Sequence, residues 1–399
     1  MYFGFRTYFR LLYLSFFRWR EAGAPPVGRR LLFLMAFMLF FPVQYTLNMI
    51  CLALDNLFFP GFRRVRLERP VFILGPPRSG TTVIQRILAA DRERFFSFRT
   101  WEIAFPSIIQ KRFISRLGAL DRKLGGRALA AIERRMARAS ADFDRLHRIG
   151  LFLPEEDDKL LMHTLSCLDL IWFFPFAELG RLGQFDTALD RRSRERIMRF
   201  YEGCLKRQAY VSGRGRCLLS KSPMLSPKVR NLREVFPDAR FICAVRTPLD
   251  VVPSMLSMAR EMWRTCMRYE PAPALVEGLY EILKTYYRHP LAEMKSMPDD
   301  VCMTVNYDEL KREPFETISA VYSRLGIGMS EDFRQVLKAQ AESVRSYSSG
   351  HDYSCRDGDV DPRQIANDFE DIFEEFGFDL GTTGYGNTDR PAEPMPQQL

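Results

Sequence analysis

The chain of 399 residues is 47% hydrophobic, enough to bury a large core, and its 58 Lys and Arg against 49 Asp and Glu give a net charge of +9 that suits an anionic partner. A nucleotide or an acidic membrane surface fits that charge, whereas nucleic acid is not the expected partner, since no recognised binding motif accompanies the Arg excess. Eight cysteines scattered without metal-ligand spacing, and no Asn-x-Ser/Thr acceptor, disfavour a metal centre and a glycosylated lumenal enzyme and point to a reducing cytoplasm.

Residues 1–20 interleave aromatic and aliphatic side chains with Arg6, Arg10, Arg18 and Arg20 and hold no acid before Glu21, the pattern of an interfacial helix. Residues 31–54 carry no charge and are long enough to cross about 30 Å of hydrocarbon. The run is too long for a signal sequence and no clear small-residue cleavage site follows it. A buried core helix fits the same run. Pro42 and the polar residues Gln44, Tyr45, Thr46 and Asn48 interrupt its middle, so a bent or re-entrant segment fits as well. Arginines flank both ends (Arg29 and Arg30; Arg63, Arg64 and Arg66), which leaves the orientation undecided.

Residues 71–74, Val-Phe-Ile-Leu, read as a buried parallel strand that Gly75-Pro76-Pro77 breaks, and Val83, Ile84, Ile87 and Leu88 have helical spacing. A strand-loop-helix of this kind turns backbone N–H groups into a concavity at a helix N-terminus, where the dipole favours an anion. Gly75 and Gly80 keep the Walker A spacing, but Thr81 stands where a nucleoside triphosphatase places its Lys. Arg78 supplies a positive charge from inside the loop instead, and Ser79, Gly80, Thr81 and Thr82 complete a phosphate cradle.

Residues 95–98 read as a short strand ending near Trp101-Glu102, and residues 111–148 as Arg-rich helices broken at Gly125-Gly126. Another helix is expected to start at Leu153-Pro154-Glu155-Glu156-Asp157-Asp158, with the acids in its first turn. The apolar run 171–176 is read as core or as an apolar substrate cleft, and a polar helix as following over residues 191–210. Residues 217–220 form a further buried strand that delivers Lys221 to its carboxyl end; residues 240–246 form another, ending in Arg246, followed by a helix that carries Ser254. Residues 301–305 give one more, and residues 330–378 two helical pieces. Strands alternating with helices predict an α/β fold with a central parallel sheet and helices on both faces, with ligands beyond the carboxyl ends of the strands, where Arg78, Lys221 and Arg246 all fall.

Arg246 and Ser254 are placed to converge on a second phosphate, and two phosphate sites fit a nucleotide phosphorylated at both ends of its ribose. With both motifs in this order the chain resembles the sulfotransferases that use 3′-phosphoadenosine-5′-phosphosulfate (PAPS). Their 5′-phosphosulfate loop is similar to Pro77-Arg78-Ser79-Gly80-Thr81-Thr82, and their 3′-phosphate motif is similar to Arg246 with Ser254 eight residues on. The resemblance covers residues 68–375 and implies a P-loop-like three-layer sandwich that binds PAPS without a metal. The expected organisation is a membrane-associated segment over residues 1–60, a catalytic domain over 61–380 and a disordered tail over 381–399. A single span would put the termini on opposite sides of the bilayer, away from a donor made in the cytoplasm. The expected topology is therefore a segment that dips into the membrane and returns, with the catalytic domain cytoplasmic.

Sulfuryl transfer needs both reacting oxygens positioned, cations at the leaving group and a base at the acceptor hydroxyl. Arg78 and Lys221 are the expected cations. Residues 216–225 resemble the Lys-Ser-Pro or Lys-Asp-Pro segment of the Golgi protein-tyrosine sulfotransferases and of a broad bacterial family, in which that Lys contacts the transferring group. Glu102 is the expected base, because Trp101-Glu102 resembles the Trp-Glu of the bacterial family and the catalytic Glu of the tyrosine enzymes, with spacing that differs from the latter by a few residues. His163 is the runner-up, since cytosolic sulfotransferases use a His, although its helical context suits a structural His better. Glu156 and Asp157 resemble the Pro-Glu-Glu-Asp segment of the bacterial family, and helix N-terminal electrostatics explains them equally well.

The expected acceptor is a membrane-held hydroxyl compound, a lipid or glycolipid, because about ten residues, at most about 35 Å of chain, separate the membrane segment from the nucleotide strand. A soluble sugar or peptide acceptor, a P-loop-like nucleotide kinase and a non-enzymatic nucleotide-binding scaffold are the alternatives.

Overall fold

The computed structural model describes residues 4–139, 150–213, 215–264, 269–346 and 360–379. Two helices, α1 (Phe5–Phe17) and α2 (Gly28–Phe58), precede strand β1 (Val71–Leu74), helix α3 (Thr81–Ala89) and strand β2 (Phe95–Phe96). Helices α4 (Thr100–Ala104), α5 (Ile108–Lys123), α6 (Arg127–Ala139), α7 (Phe185–Ala188) and α8 (Arg191–Ser212) follow, with three 3-10 stretches between α6 and α7. Then come β3 (Cys217–Lys221), α9 (Val229–Val235), β4 (Arg240–Val245), α10 (Pro248–Met262), α11 (Pro273–Met294) and β5 (Cys302–Asn306). Helices α12 (Tyr307–Arg312), α13 (Pro314–Arg324), α14 (Glu331–Ser346), α15 (Pro362–Asp368) and α16 (Glu370–Phe376) complete the described chain. The expected disordered tail lies outside the described residues, as does the end of the Arg-rich stretch beyond α6.

The five strands form one parallel sheet in the order β2-β3-β1-β4-β5. Alternate side chains go to opposite faces. Phe72, Leu74, Leu218, Phe241, Cys243 and Val245 join the larger core with α8 to α11, while Val71, Ile73, Leu219, Ile242 and Ala244 join a second core with α3 and α12 to α14. Burial on both faces is why these strands are unbroken apolar runs. The strand read over 95–98 stops at Phe96, because beyond it Phe98 turns its carbonyl to the N–H of Glu155 at 2.9 Å. The helix read from Leu153 is a 3-10 stretch over Asp157–Thr164. In the run 171–176, Ile171, Phe174 and Phe176 are buried in the larger core.

The apolar N-terminal run is one continuous helix. The interruption expected at Pro42 is missing because the carbonyl that Pro42 leaves without an amide donor, that of Met38, accepts the Tyr8 hydroxyl of α1 at 3.1 Å. Tyr8 also lies against the rings of Phe37 and Phe41, with centroids 5.5 and 6.0 Å away. At the far end Asp55, fully buried, accepts Ser107 Oγ at 2.8 Å, the Ile108 N–H at 2.9 Å and Arg207 Nε at 3.0 Å, which fixes α2 to α5 and α8.

Candidate active site

Strands β3 and β4 flank β1, so the chain segments leaving all three meet at one edge of the sheet. The loop after β1 crosses that edge. Gly75 has φ of 123°, and a Cβ there would sit 2.2 Å from the Ala244 carbonyl; Gly80 has φ of 89°, and a Cβ there would meet the Tyr307 ring at 2.5 Å. Only glycine fits either place. Ser226 pins the loop from below, accepting the Gly75 N–H at 2.9 Å and donating to the Gly75 carbonyl at 3.1 Å. Ser79 donates to the Pro76 carbonyl at 2.7 Å, and α3 begins at Thr81 with no side-chain cap, which leaves the Thr81 and Thr82 N–H groups for an anion while the Val83 N–H bonds the Gly80 carbonyl at 2.9 Å.

Two cationic groups converge on this loop from opposite sides. On the β4 side Arg78 Nε donates to Ser254 Oγ at 3.1 Å, and Arg246 Nη1 faces the Arg78 carbonyl at 3.5 Å. Arg246 is held in place by Asp250 Oδ2, at 3.0 Å from Nε and 2.7 Å from Nη2, and its guanidinium lies 4.7 Å over the Tyr307 ring. The Tyr287 hydroxyl fixes the Arg246 carbonyl at 2.7 Å. On the β3 side Lys221, only 2% exposed, donates to Glu156 Oε1 at 2.7 Å and to Thr82 Oγ1 at 3.3 Å. The expected residues Arg78, Ser79, Gly80, Thr81, Thr82, Lys221, Arg246 and Ser254 are thus contiguous.

Carboxylates brace the β3 side. Asp157 accepts Tyr201 OH at 2.7 Å and Ser220 Oγ at 2.8 Å, and burial pushes its carboxyl up to about 6. Burial also raises the neighbouring Asp158. Glu102 stands third in α4, where its Oε2 accepts the Arg99 N–H at 2.8 Å in a capping box. A bridge between Arg99 and Pro154 sets the start of α4 beside the acidic segment that carries Glu156. The Glu102 carboxylate bonds that amide, whereas Lys221 bonds Glu156. His163 is buried between α2 and α4, with Nε2 2.8 Å from the Ile103 carbonyl and Nδ1 3.3 Å from Asn48 Nδ2. Burial lowers its pKa, and the pattern assigns a neutral ring protonated at Nε2, which fills a structural position.

Reading the sequence alone missed Tyr307, which floors both Gly80 and Arg246 and is hinted at only by its place at the carboxyl end of β5. For Glu156, which family resemblance and helix N-terminal electrostatics explain equally well from sequence, the structure supplies an ion pair with Lys221.

A sulfotransferase family model matches residues 70–331. The chain is 27% identical over 398 aligned residues to the omega-hydroxy-beta-dihydromenaquinone-9 sulfotransferases Stf3 of Mycobacterium tuberculosis and Mycobacterium bovis, covering 92% of this chain and 94% of the relative. Its fold is similar to that of sulfotransferase STF1 from Mycobacterium tuberculosis, with a TM-score of 0.68 at 19% identity over 91% of this chain and 92% of that one. STF9 from Mycobacterium avium gives a TM-score of 0.67 at 20% identity over 82% of each chain. With the matched region spanning the strand-end loop, both flanking cations and β5, the chain belongs to the sulfotransferase family and is a sulfuryl-transfer enzyme.

Proposed function

We propose that the protein transfers a sulfuryl group from PAPS to a hydroxyl of a membrane lipid. The observation that carries the donor is the pair of cation clusters on one loop, Arg78 with Ser254 and Arg246 on one side and Lys221 with Thr82 on the other. A nucleotide bearing phosphate on both sides of its ribose fits that arrangement. The glycine-lined cradle and the α3 N-terminus take the 5′-phosphosulfate, and Arg246 with Ser254 takes the 3′-phosphate. PAPS supplies the activated sulfuryl group; the protein holds it, excludes water and offsets charge. Lys221, pointed at the loop through Thr82, neutralises charge growing on the leaving phosphate, and Arg78 assists from within the loop.

Glu102 takes the acceptor proton in this reading, using the carboxylate oxygen that the capping box leaves over. A second reading puts the base at Glu156, favoured by its 2.7 Å contact with Lys221. The acceptor class is supported by the named substrate of the Stf3 relatives, a hydroxylated dihydromenaquinone, together with the long apolar α2 next to the catalytic body. Residues 1–60 act as the membrane-facing segment of a catalytic domain over residues 61–380, held at the cytoplasmic face. Calorimetry tests the donor: the product 3′,5′-bisphosphate, PAP, should bind in chelator, and Arg246→Ala should abolish the heat. ATP binding of equal strength that requires Mg²⁺ would point to a kinase instead.

A further inference from the structure

We propose that α1, the outer side of α2 and α5 form one lipid-facing layer that rests on an anionic membrane surface, with α2 lying in the plane of that surface and not across it. This deepens the membrane-held reading of the acceptor, but it stands on the geometry of α2 itself.

The side of α2 that faces the body repeats every three or four residues: Arg30, Leu34, Phe37, Phe41, then Asn48, Leu52 and Asp55. The contacts run from end to end. Arg30 Nη1 donates to the Phe173 carbonyl at 3.2 Å, the Phe37 ring lies 4.8 Å from that of Phe174, Asn48 Nδ2 donates to the Ala104 carbonyl at 3.2 Å, and Asp55 binds α5 and α8 as described above. A helix of 31 residues is about 46 Å long, and a span needs about 30 Å of it surrounded by lipid. Here the catalytic body lies along one side throughout, and its charged surface cannot follow the helix into hydrocarbon. Gln44, exposed at mid-helix, would face lipid at the bilayer centre in a span, whereas at an interface it meets headgroups.

The other side of α2 is apolar and, among the described residues, uncovered: Leu32, Leu39, Val43, Ile50 and Leu57 are all at least half exposed. Neighbouring helices continue it. On α1, which packs on the N-terminal half of α2, every fourth residue from Phe5 to Phe17 is an exposed aromatic; on α5, which packs on the C-terminal half, Phe113, Leu117 and Leu120 are exposed at helical spacing, as is Leu124 just past its end. An apolar surface of this extent marks an interaction site.

Charge selects the occupant. Residues 1–66 hold nine basic residues and two acids, and residues 108–139 again nine and two. Together these stretches carry +14 in a chain whose total is +9, so the rest is net acidic. Anionic lipid complements that layer, whereas a second copy of the same face would oppose like charges.

The test uses the full chain with vesicles of phosphatidylcholine, with or without phosphatidylglycerol, and a genetically encoded nitroxide at Leu32, Val43 or Leu57. All three labels should report one depth, about 5–10 Å below the headgroups, and flotation should require phosphatidylglycerol and weaken with salt. Labels at Leu32 and Leu57 near opposite interfaces with Val43 at the centre would overturn the proposal. Phe9→Glu/Leu39→Glu/Leu117→Glu should cut vesicle binding at least tenfold with PAP affinity kept. Should that variant misfold, Arg6→Gln/Arg29→Gln/Arg116→Gln, all at exposed positions, should still weaken binding to the anionic vesicles severalfold. Undiminished binding there, or a dimer that forms in place of vesicle binding and that Leu39→Glu dissolves, would also overturn it. In-plane depth without any lipid sulfation would sink the acceptor reading alone, and lipid sulfation by a protein with a spanning depth profile would sink this one alone.

Discussion

The loop over residues 75–82 and helix α2 handle polar groups in opposite ways. In the loop, cations from three strand ends are drawn together by hydrogen bonds that run through the loop itself: Arg78 to Ser254, Arg246 to the Arg78 carbonyl and Lys221 to Thr82. Along α2 the polar residues Arg30, Asn48 and Asp55 are drawn apart, each to a different piece of the body, and the apolar stripe on the opposite side is left outside. Concentrated charge makes a binding site for a small anion. Polar anchors spread along a helix whose apolar side is uncovered make a surface fastened to a core, and the two together put a nucleotide site next to a lipid layer.

Breaking either arrangement should have effects of different kinds. The largest is expected at Asp55, where Asp55→Ala would leave Arg207 without its buried carboxylate and the Ile108 N–H without its acceptor, while the Ile109 N–H keeps only Ser107 Oγ. The cost should be about 3–5 kcal/mol, read by denaturant unfolding, with PAP affinity unaffected in the fraction that remains folded. Lys221→Ala should lower turnover by about 10²–10³ while changing PAP affinity less, and Lys221→Met/Glu156→Gln controls for the orphaned carboxylate. A loss confined to stability would make the lysine structural. Glu102→Gln should cost roughly a hundredfold or more in turnover with PAP affinity intact. If Glu156→Gln is dead and Glu102→Gln active, the base moves to Glu156. Gly80→Ala, forced against the Tyr307 ring at a left-handed φ, should destabilise by about 1–3 kcal/mol and weaken PAP binding.

The smallest effect concerns His163, which distinguishes anchoring from catalysis. Burial holds its folded pKa below 6.5, so below that pH the unfolded chain takes up a proton that the native ring refuses, and stability falls as pH drops. His163→Gln should flatten the slope of unfolding free energy between about pH 5 and 7 and leave the pH profile of turnover unchanged. A shifted turnover profile would return His163 to the chemistry.

The parallel sheet was legible because its signals are local. Four-to-six-residue apolar runs, breakers at their ends and cations just beyond them fix both the strands and the edge where ligands gather, and the expected strands lie within two residues of those observed. The proximity of Arg78, Arg246 and Ser254 followed from the same logic. What could not be read depends on partners far along the chain. Nothing near Pro42 announces that Tyr8 will satisfy the Met38 carbonyl, nothing near Asn48 announces Gln110 and His163, and nothing near Glu156 announces Lys221. A polar residue inside an apolar run therefore looked like an interruption of a membrane helix when it was a tether to the body.

Transfer to a membrane lipid is tested most directly on the sulfated product. Full-length protein reconstituted in vesicles containing a membrane lipid extract should be given PAPS labelled with ³⁵S, and the extract then partitioned between solvent and water. Label should appear in an organic-soluble lipid and be lost in Arg246→Ala and Lys221→Ala if a membrane lipid is the acceptor. Label appearing only in water-soluble acceptors, or no transfer by a protein that binds PAP, would contradict it.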